Sequence, residues 1–378
     1  MRIIHLSDLH IGKRVNGFSM ISDQCYILEQ ILGIIKNEKA DAVFIAGDIY
    51  DKSVPSLEAV QLFDDFLVKL SKLCLKVFIV SGNHDSPERI AFASRIISES
   101  GIYLSPVYDG HIEKITVNDE FGPVNVYLLP YIKPVHVRVH YNKENIDTYT
   151  DAVRTALEHT DIDENVRNVI IAHQFVTGAS RSDSEEKSVG GMDGVDACVF
   201  DAFDYVALGH IHGPQNIGST RVRYSGTPLK YSFSEEKHEK SVTVVDMYEK
   251  GNISVRTVPL IPLRDMKTIK GKYMDIMSKQ FYEDIKTDDY MRVILTDEED
   301  IPDAAARIRI VYKNLMLMQY DNTRTKNNKN INGNDEGIKA SPMELFSELY
   351  KRQNNKEMTD TQKNYLGNLI KRIWEDEI

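Results

Sequence analysis

Cysteine is scarce and unpaired in this sequence. Cys25, Cys74 and Cys198 stand far apart, odd in number, with no CxxC. That excludes a disulfide framework and argues against a cysteine-built zinc site, and it reads as reduced core thiols in a cytosolic protein. Long apolar runs are missing too. None approaches the ~18 residues that span a bilayer, so no membrane association is expected. The opening MRIIHLSDLH has no signal-peptide pattern, because a His and an Asp interrupt its short apolar stretch. A basic excess is also absent: 46 Lys+Arg against 57 Asp+Glu leave a net charge of −11. Counterion release normally requires a net basic face. Any nucleic acid handled here must be met by local basic residues, metal ions or a partner.

What is present is an ordinary soluble composition, 42% hydrophobic and 27% charged. A length of 378 residues suggests two or three domains. In the first 265 residues, apolar β-rich runs alternate with helical patterns. RIIHL, AVFIA, KVFIV, VNVYLLP, NVIIAH and YVALGH read as strands. Helices are predicted near Ser19–Lys36, Leu57–Leu73, Glu88–Glu99 and Thr150–Glu158. Such alternation predicts an α/β domain whose helices cover largely buried sheets. From Val222 to Val258, VRYSG, SVTVVDMY and ISVRTVPL read as an antiparallel meander.

A small α/β capping unit is predicted over 266–321, with strands YMRVILT and LMLMQY. Residues 322–340, rich in Asn and poor in apolar side chains, read as a flexible linker. Two short helices follow within 341–378. Ser341 with Glu344, and Thr359 with Gln362, form capping boxes at their starts. One helix gathers Met343, Phe346, Leu349 and Tyr350 on a face, and the other Leu366, Leu369, Ile370, Ile373 and Trp374. Two short helices cannot bury those faces alone, so they either fold back or dock on another chain.

The strand ends carry the chemistry. KVFIV runs straight into SGNHDSP, where the turn formers Gly, Asn and Asp flank a His. The other endings are Asp8-Leu9-His10, Gly47-Asp48, His173 and His210-Ile211-His212. Five of the eleven histidines sit at these ends. A lone His at a strand end is more often a satisfied polar group. Five such endings in one domain exceed coincidence. In open α/β sheets, sites form at the carboxyl ends of strands. Pairs at i and i+2, Asp8/His10 and His210/His212, point the same way if the backbone is extended. Mixed carboxylate, amide and imidazole donors suit a divalent ion such as manganese, iron, zinc or magnesium. Seven donors, Asp8, His10, Asp48, Asn83, His173, His210 and His212, are too many for one ion and suit two that share a carboxylate.

These blocks, DLH, GDIYD, GNHD, AH and GHIH in that order, resemble the calcineurin-like metallophosphoesterases over roughly residues 1–230. MRIIHLSDLHIGK, SGNHDSPERI and YSGTPLKYSFSE resemble the family's DNA-processing nuclease branch. The resemblance implies a four-layer α-β-β-α sandwich over 1–265, a small cap, and C-terminal helices that dock on a partner ATPase. It implies two divalent ions per chain, manganese foremost. Asp8, His10, Asp48 and His212 would hold one, and Asp48, Asn83, His173 and His210 the other. His84 would be the catalytic residue facing the scissile phosphate, with Asp85 beside it as a group that orients the imidazole or serves the structure. Position 51 departs from archaeal and eukaryotic relatives, carrying Asp where they have a second phosphate-facing His.

Lys13, Arg14 and Arg89 are candidate phosphate contacts, and the polar loop 177–191 is a candidate overhang. The implied activity is exonuclease on DNA ends and endonuclease on hairpins and single strands, in repair, recombination and replication. The implied assembly is a heterotetramer-like complex built on a homodimer. A small-molecule phosphodiesterase or phosphatase, or a scaffold that only tethers DNA ends, are the alternatives.

Overall fold

The computed structural model describes residues 1–141, 145–185, 193–323, 342–354 and 357–375. The chain opens with β1 (Arg2–Leu6), the small hairpin β2 (Arg14–Val15) and β3 (Phe18–Ser19), and a long helix, Ile21–Glu38. β4 (Ala42–Ala46), the helix Leu57–Ser71, β5 (Lys76–Val80) and β6 (Ile102–Leu104) follow. Next come β7 (Glu113–Asp119), β8 (Gly122–Leu129), the helix Tyr149–Glu158, β9 (Arg167–His173) and β10 (Tyr205–Gly209). β11 (Gln215–Ile217), β12 (Ser219–Tyr224), β13 (Ser241–Met247) and β14 (Ile253–Pro259) complete two sheets.

One six-stranded sheet runs β14-β13-β1-β4-β5-β6, and the other β11-β12-β10-β9-β8-β7. β1, β4, β5 and β6 are mutually parallel, as are β8, β9, β10 and β12. Strand alternation explains the layering. In β4, Ala42, Phe44 and Ala46 meet the second sheet, while Val43 and Ile45 pack on helical residues such as Ile31 and Phe63. In β9, Val169 and Ile171 face the first sheet, while Ile170 and Ala172 join the helix side with Val153. Strands buried on both faces are apolar through their middles, as AVFIA of β4 and VIIA of β9 are. The result is the expected four-layer α-β-β-α sandwich with three cores. His5 lies on the inter-sheet face of β1. Its ring nitrogens meet Tyr205 Oη at 2.9 Å and the Leu208 carbonyl at 3.2 Å, so it ties the sheets and stays out of the site.

Three expectations fail. Cys25, Cys74 and Cys198 are exposed and are not core thiols. VRYSG is not part of the meander: β12 pairs parallel with β10 in the second sheet, while β13 and β14 alone form the antiparallel edge of the first. Gly226, at φ +75, turns the chain from one sheet towards the other, and its Cβ would lie 2.6 Å from the His212 carbonyl. The helix expected at Glu88–Glu99 breaks into two single turns, Pro87–Ile90 and Ser94–Ile97, around Ala93 in the left-handed region.

The predicted cap has its own sheet, β15 (Met266–Gly271), β16 (Tyr290–Leu295) and β17 (Leu315–Tyr320). Most of it clusters with the sandwich as one compact unit, Met1–Ile294 with Ile301–Gln319. Arg264 and Tyr290 both reach the buried Asp23, at 2.7 Å each. A second unit comprises Leu295–Asp300 and Tyr320–Ile378. Within it the helices Pro342–Asn354 and Asp360–Glu375 form a hairpin, capped at Thr359, whose N–H donates to Gln362 Oε1 at 2.9 Å. Ser341 and all but the first two residues of the expected linker lie outside the described residues.

A buried ion pair gives the fold a pH dependence. Arg167, 3% exposed, donates to both carboxylate oxygens of Asp119. Burial would raise the Asp119 carboxyl, but Arg167, the N-terminal ammonium and the Phe121 N–H together outweigh it and hold the group well below the ordinary 3.8. The folded value is depressed, so the pair's contribution is complete above about pH 4 and fades as pH falls through the folded value. Asp119→Asn is expected to cost about 3 kcal/mol in urea unfolding at pH 7, because the buried guanidinium loses its counter-charge. The gap from wild type should close below pH 4. A gap constant with pH rules out the pair as its source.

Candidate metal centre

Strand parity delivers His173: continuing Val169 and Ile171 by two residues puts it between the sheets, at the carboxyl end of β9. The other donors follow the strands in tight loops. Asp8, His10 and Asp48 take left-handed backbone, with φ of 52, 44 and 49, and His210 has φ 104. The i, i+2 pairs therefore converge through strained loops and not through extended chain. Such strain persists only when the surroundings enforce it. Here the Asp8 N–H donates to the Gly47 carbonyl at 3.0 Å, and those of His10 and Ile11 donate to the Asp48 and Ile49 carbonyls at 2.9 and 2.8 Å. Glycine precedes these donors because no side chain fits there: Gly209 meets the facing sheet, and Gly82 meets the Asp48 loop of its own sheet. A Cβ on Gly209 would lie 1.7 Å from the Ala46 carbonyl oxygen, and one on Gly82 2.1 Å from Asp48 Oδ1.

All seven expected donors come together. Asp8, His10 and His212 have donor atoms within 4.8 Å of one another, as do Asp8, Asp48 and His173. His10 Nε2 lies 3.1 Å from His212 Nε2. Asn83 Oδ1 lies 3.0 Å from His173 Nε2 and 2.9 Å from His210 Nδ1. Asp48 Oδ2 stands between the groups, 3.3 Å from His173 Nε2 and 3.7 Å from His10 Nε2. His173 Nδ1 donates to the Ala46 carbonyl at 2.8 Å, which turns Nε2 inward.

The electrostatics fit cations. Burial pushes the Asp8 carboxyl up to about 6, and lowers the His10 and His210 imidazoles, the latter to about 3. His173 goes the other way: burial lowers it, but the Asp48 carboxylate prevails and lifts it to about 9. Buried negative charge thus draws a proton to a place a cation would serve instead. Two buried nitrogens, His10 Nδ1 and His210 Nε2, have no hydrogen-bond partner among the described residues. Two carboxylates, one amide oxygen and four imidazoles, packed this tightly, suit two divalent ions.

His84 borders this cluster from the open side, its side chain 21% exposed. Its backbone N–H donates to Asp48 Oδ1 at 2.9 Å, and its Nδ1–H to the Asp51 carbonyl at 3.0 Å. Asp85 does not orient that ring. Its carboxylate accepts from the backbone N–H groups of Ile49, Tyr50 and Gly82, at 3.1, 3.0 and 2.9 Å, lacing the GNHD loop to the GDIYD loop. Lys13 is no exposed charge either: it pairs with Asp51 Oδ1 at 2.7 Å, 15% exposed. Arg14 is exposed and lines a cleft of about 360 Å³ with Ser184 and Arg292. Arg89 is exposed on the Pro87–Ile90 turn, with no part in the cluster. In loop 177–191, Ser184 touches His212 Nδ1 at 2.6 Å, while residues 186–191 lie outside the described residues.

Sequence reasoning missed Ser184, Glu235 and Tyr231 as parts of this centre. Tyr231 Oη donates to the Leu9 carbonyl at 2.6 Å, bracing the first donor loop. Both Tyr231 and Glu235 fall in YSGTPLKYSFSE, a stretch distinctive enough to quote yet silent on what it touches.

Comparison with known proteins agrees with this geometry. Residues 1–214 match the calcineurin-like phosphoesterase family, and residues 262–354 a family described as type 5 capsule protein repressor C-terminal domain. The chain is 31% identical over 384 residues to the D subunit of the nuclease SbcCD from Staphylococcus epidermidis, covering 100% of both chains. Protein TT1561 of Thermus thermophilus is 13% identical, with 68% of this chain and 98% of that one covered and a TM-score of 0.38. A dimetal phosphatase from Danio rerio is 12% identical over 69% and 99%, with a TM-score of 0.37. Two six-stranded sheets delivering carboxylate, amide and imidazole donors to one place, with full-length kinship to the D subunit of an SbcCD nuclease, make this chain a member of the calcineurin-like phosphoesterase family.

Proposed function

We propose that this chain is a two-metal DNA nuclease that works with an SbcC-type ATPase, cutting ends exonucleolytically and hairpins or single strands endonucleolytically. The carrying observation is the shared position of Asp48 between two donor groups, with His84 on the open side. Asp8, His10, Asp48 and His212 would hold one ion, and Asp48, Asn83, His173 and His210 the other. Manganese is our choice for both. Bound there, the ions supply Lewis acidity towards the phosphate oxygens and an activated water. The chain's own work is orientation. His84, with Nδ1–H held by the Asp51 carbonyl, directs Nε2 at the substrate, where it can place a proton on the leaving oxygen. Lys13, Arg14 and Arg89 are proposed to meet flanking phosphates, Lys13 by leaving Asp51.

The helical hairpin supports the partner assignment. An apolar groove of about 480 Å³ is lined by Phe346, Tyr350, Leu366 and Leu369 among others. Phe346, Leu349 and Leu369 are exposed, Met343 and Tyr350 are half-buried, and Leu366 is buried. Ile370, Ile373 and Trp374 lie outside the residues whose side chains are described. A second copy of the chain is proposed to cover Leu57, Phe92 and Ile96, which are 73%, 79% and 75% exposed. Phe92→Asp is expected to shift a dimer to a monomer in light scattering, and an unchanged mass removes that face.

The test of activity uses manganese with a DNA hairpin or p-nitrophenyl esters, with and without the ATPase. Hairpin cleavage enhanced by the ATPase is the expected result. Cleavage of small esters alone would favour a small-molecule phosphodiesterase. Removing residues 341–378 should spare the esterase site yet abolish co-purification with the ATPase. Retained co-purification would sink the docking role.

A further inference from the structure

The motif YSGTPLKYSFSE and the polar loop after His173 meet behind His212. Ser184 Oγ lies 2.6 Å from His212 Nδ1 and 2.5 Å from Glu235 Oε1. Glu235 is fully buried, and its other oxygen is 2.5 Å from Lys240 Nζ. Lys240 also donates to the His212 carbonyl at 2.9 Å and to Thr227 Oγ1 at 2.6 Å. The backbone N–H of His212 donates to Glu185 Oε1 at 2.6 Å, so both the ring and the main chain of His212 are held.

Counting hydrogens fixes the direction of this chain. A carboxylate against a buried ammonium only accepts. Ser184 has one hydroxyl hydrogen, and it must point at Glu235, because two oxygens 2.5 Å apart with no hydrogen between them repel. Ser182 Oγ, 2.8 Å away, then donates to Ser184. The Ser184 oxygen therefore faces His212 as an acceptor, and the hydrogen between them belongs to Nδ1. Nε2 is left bare. It points at His10 Nε2, 3.1 Å away, within the Asp8–His10–His212 cluster.

We propose that Ser184 and Glu235, backed by Lys240, are positioning residues that lock His212 in the tautomer with Nδ1 protonated and so set the cation affinity of the Asp8–His10–His212 cluster. This rests on the two-metal reading of the site. The polar loop that carries Ser184 becomes part of the metal centre, and Glu235 is the reason its motif ends in an acid. Partners behind a ligating imidazole typically contribute 10–100-fold in metal affinity.

The test is calorimetric titration of the full chain with manganese alone, for wild type, Ser184→Ala and Ser184→Thr, alongside the melting temperature without metal. Wild type is expected to take two ions. Ser184→Ala should weaken one of them about 10–100-fold, leave the other alone and leave metal-free melting unchanged. Ser184→Thr, which keeps the hydroxyl, should restore the affinity. Unchanged affinities in Ser184→Ala, equal weakening of both sites, a lowered metal-free melting point with affinities intact, or no recovery in Ser184→Thr each overturn the relay alone. A wild-type chain that binds no manganese overturns the two-metal reading and the relay with it.

Discussion

Asp48→Ala is expected to lower turnover by on the order of 10⁴-fold or more, the largest effect of any single substitution in this chain. Asp48 Oδ2 faces His173, His10 and His84 at 3.3, 3.7 and 3.9 Å, while Oδ1 accepts the His84 N–H. In the proposed assignment the carboxylate is the one donor given to both ions, so removing it would weaken both, whereas every other donor is assigned to a single ion. Each ion, bound there, would supply several kcal/mol of stabilisation to transition-state charge. At about 1.4 kcal/mol per tenfold, losing roughly 6 kcal/mol reaches 10⁴. Manganese titration should show both ions weakened together. Asp48→Asn, which keeps the shape without the charge, should fail nearly as badly. Wild-type uptake of two ions by either variant would falsify the bridging role.

His84→Ala should behave differently, losing about 10²–10⁴-fold in turnover with manganese binding intact. The ring stands at the edge of the donor cluster, its Nε2 3.9 Å from Asp48 Oδ2 and its face partly open. Its grip comes from the Asp51 main chain, so the side chain at 51 is free to hold Lys13. Turnover of a p-nitrophenyl diester and calorimetry on the same preparation separate the two effects. Parallel loss of metal and rate would make His84 a ligand and end its role as an acid.

Much of the fold was legible because burial on both faces demands unbroken Val and Ile runs, and six such runs became strands of the two sheets. The donors were legible because each follows such a run, at the edge where parallel strands end. Three of the failures share one cause, a partner distant in sequence. Nothing local says that VRYSG leaves the meander for the second sheet, since either sheet would bury its apolar residues. Asp85 looked like a neighbour for His84, yet three backbone N–H groups claim it. Lys13 was singled out as a candidate phosphate contact, yet Asp51 holds it. The i, i+2 spacing named pairs that do converge, but left-handed loops, not extended chain, aim them.

By itself the sequence determined the layered α/β class and pointed to the strand ends and to seven candidate donors there, since side-chain type and strand burial are properties of short segments. Tertiary structure alone decided that Asp48 lies between both donor groups, which nitrogen of each His turns inward, and that Ser184 and Glu235 stand behind His212. Those choices depend on hydrogen bonds closing over tens to hundreds of residues, such as Asp8 to His210 or Tyr231 to Leu9. A hydrogen bond's direction follows from where both partners come to rest, and only the packed sheets bring them there.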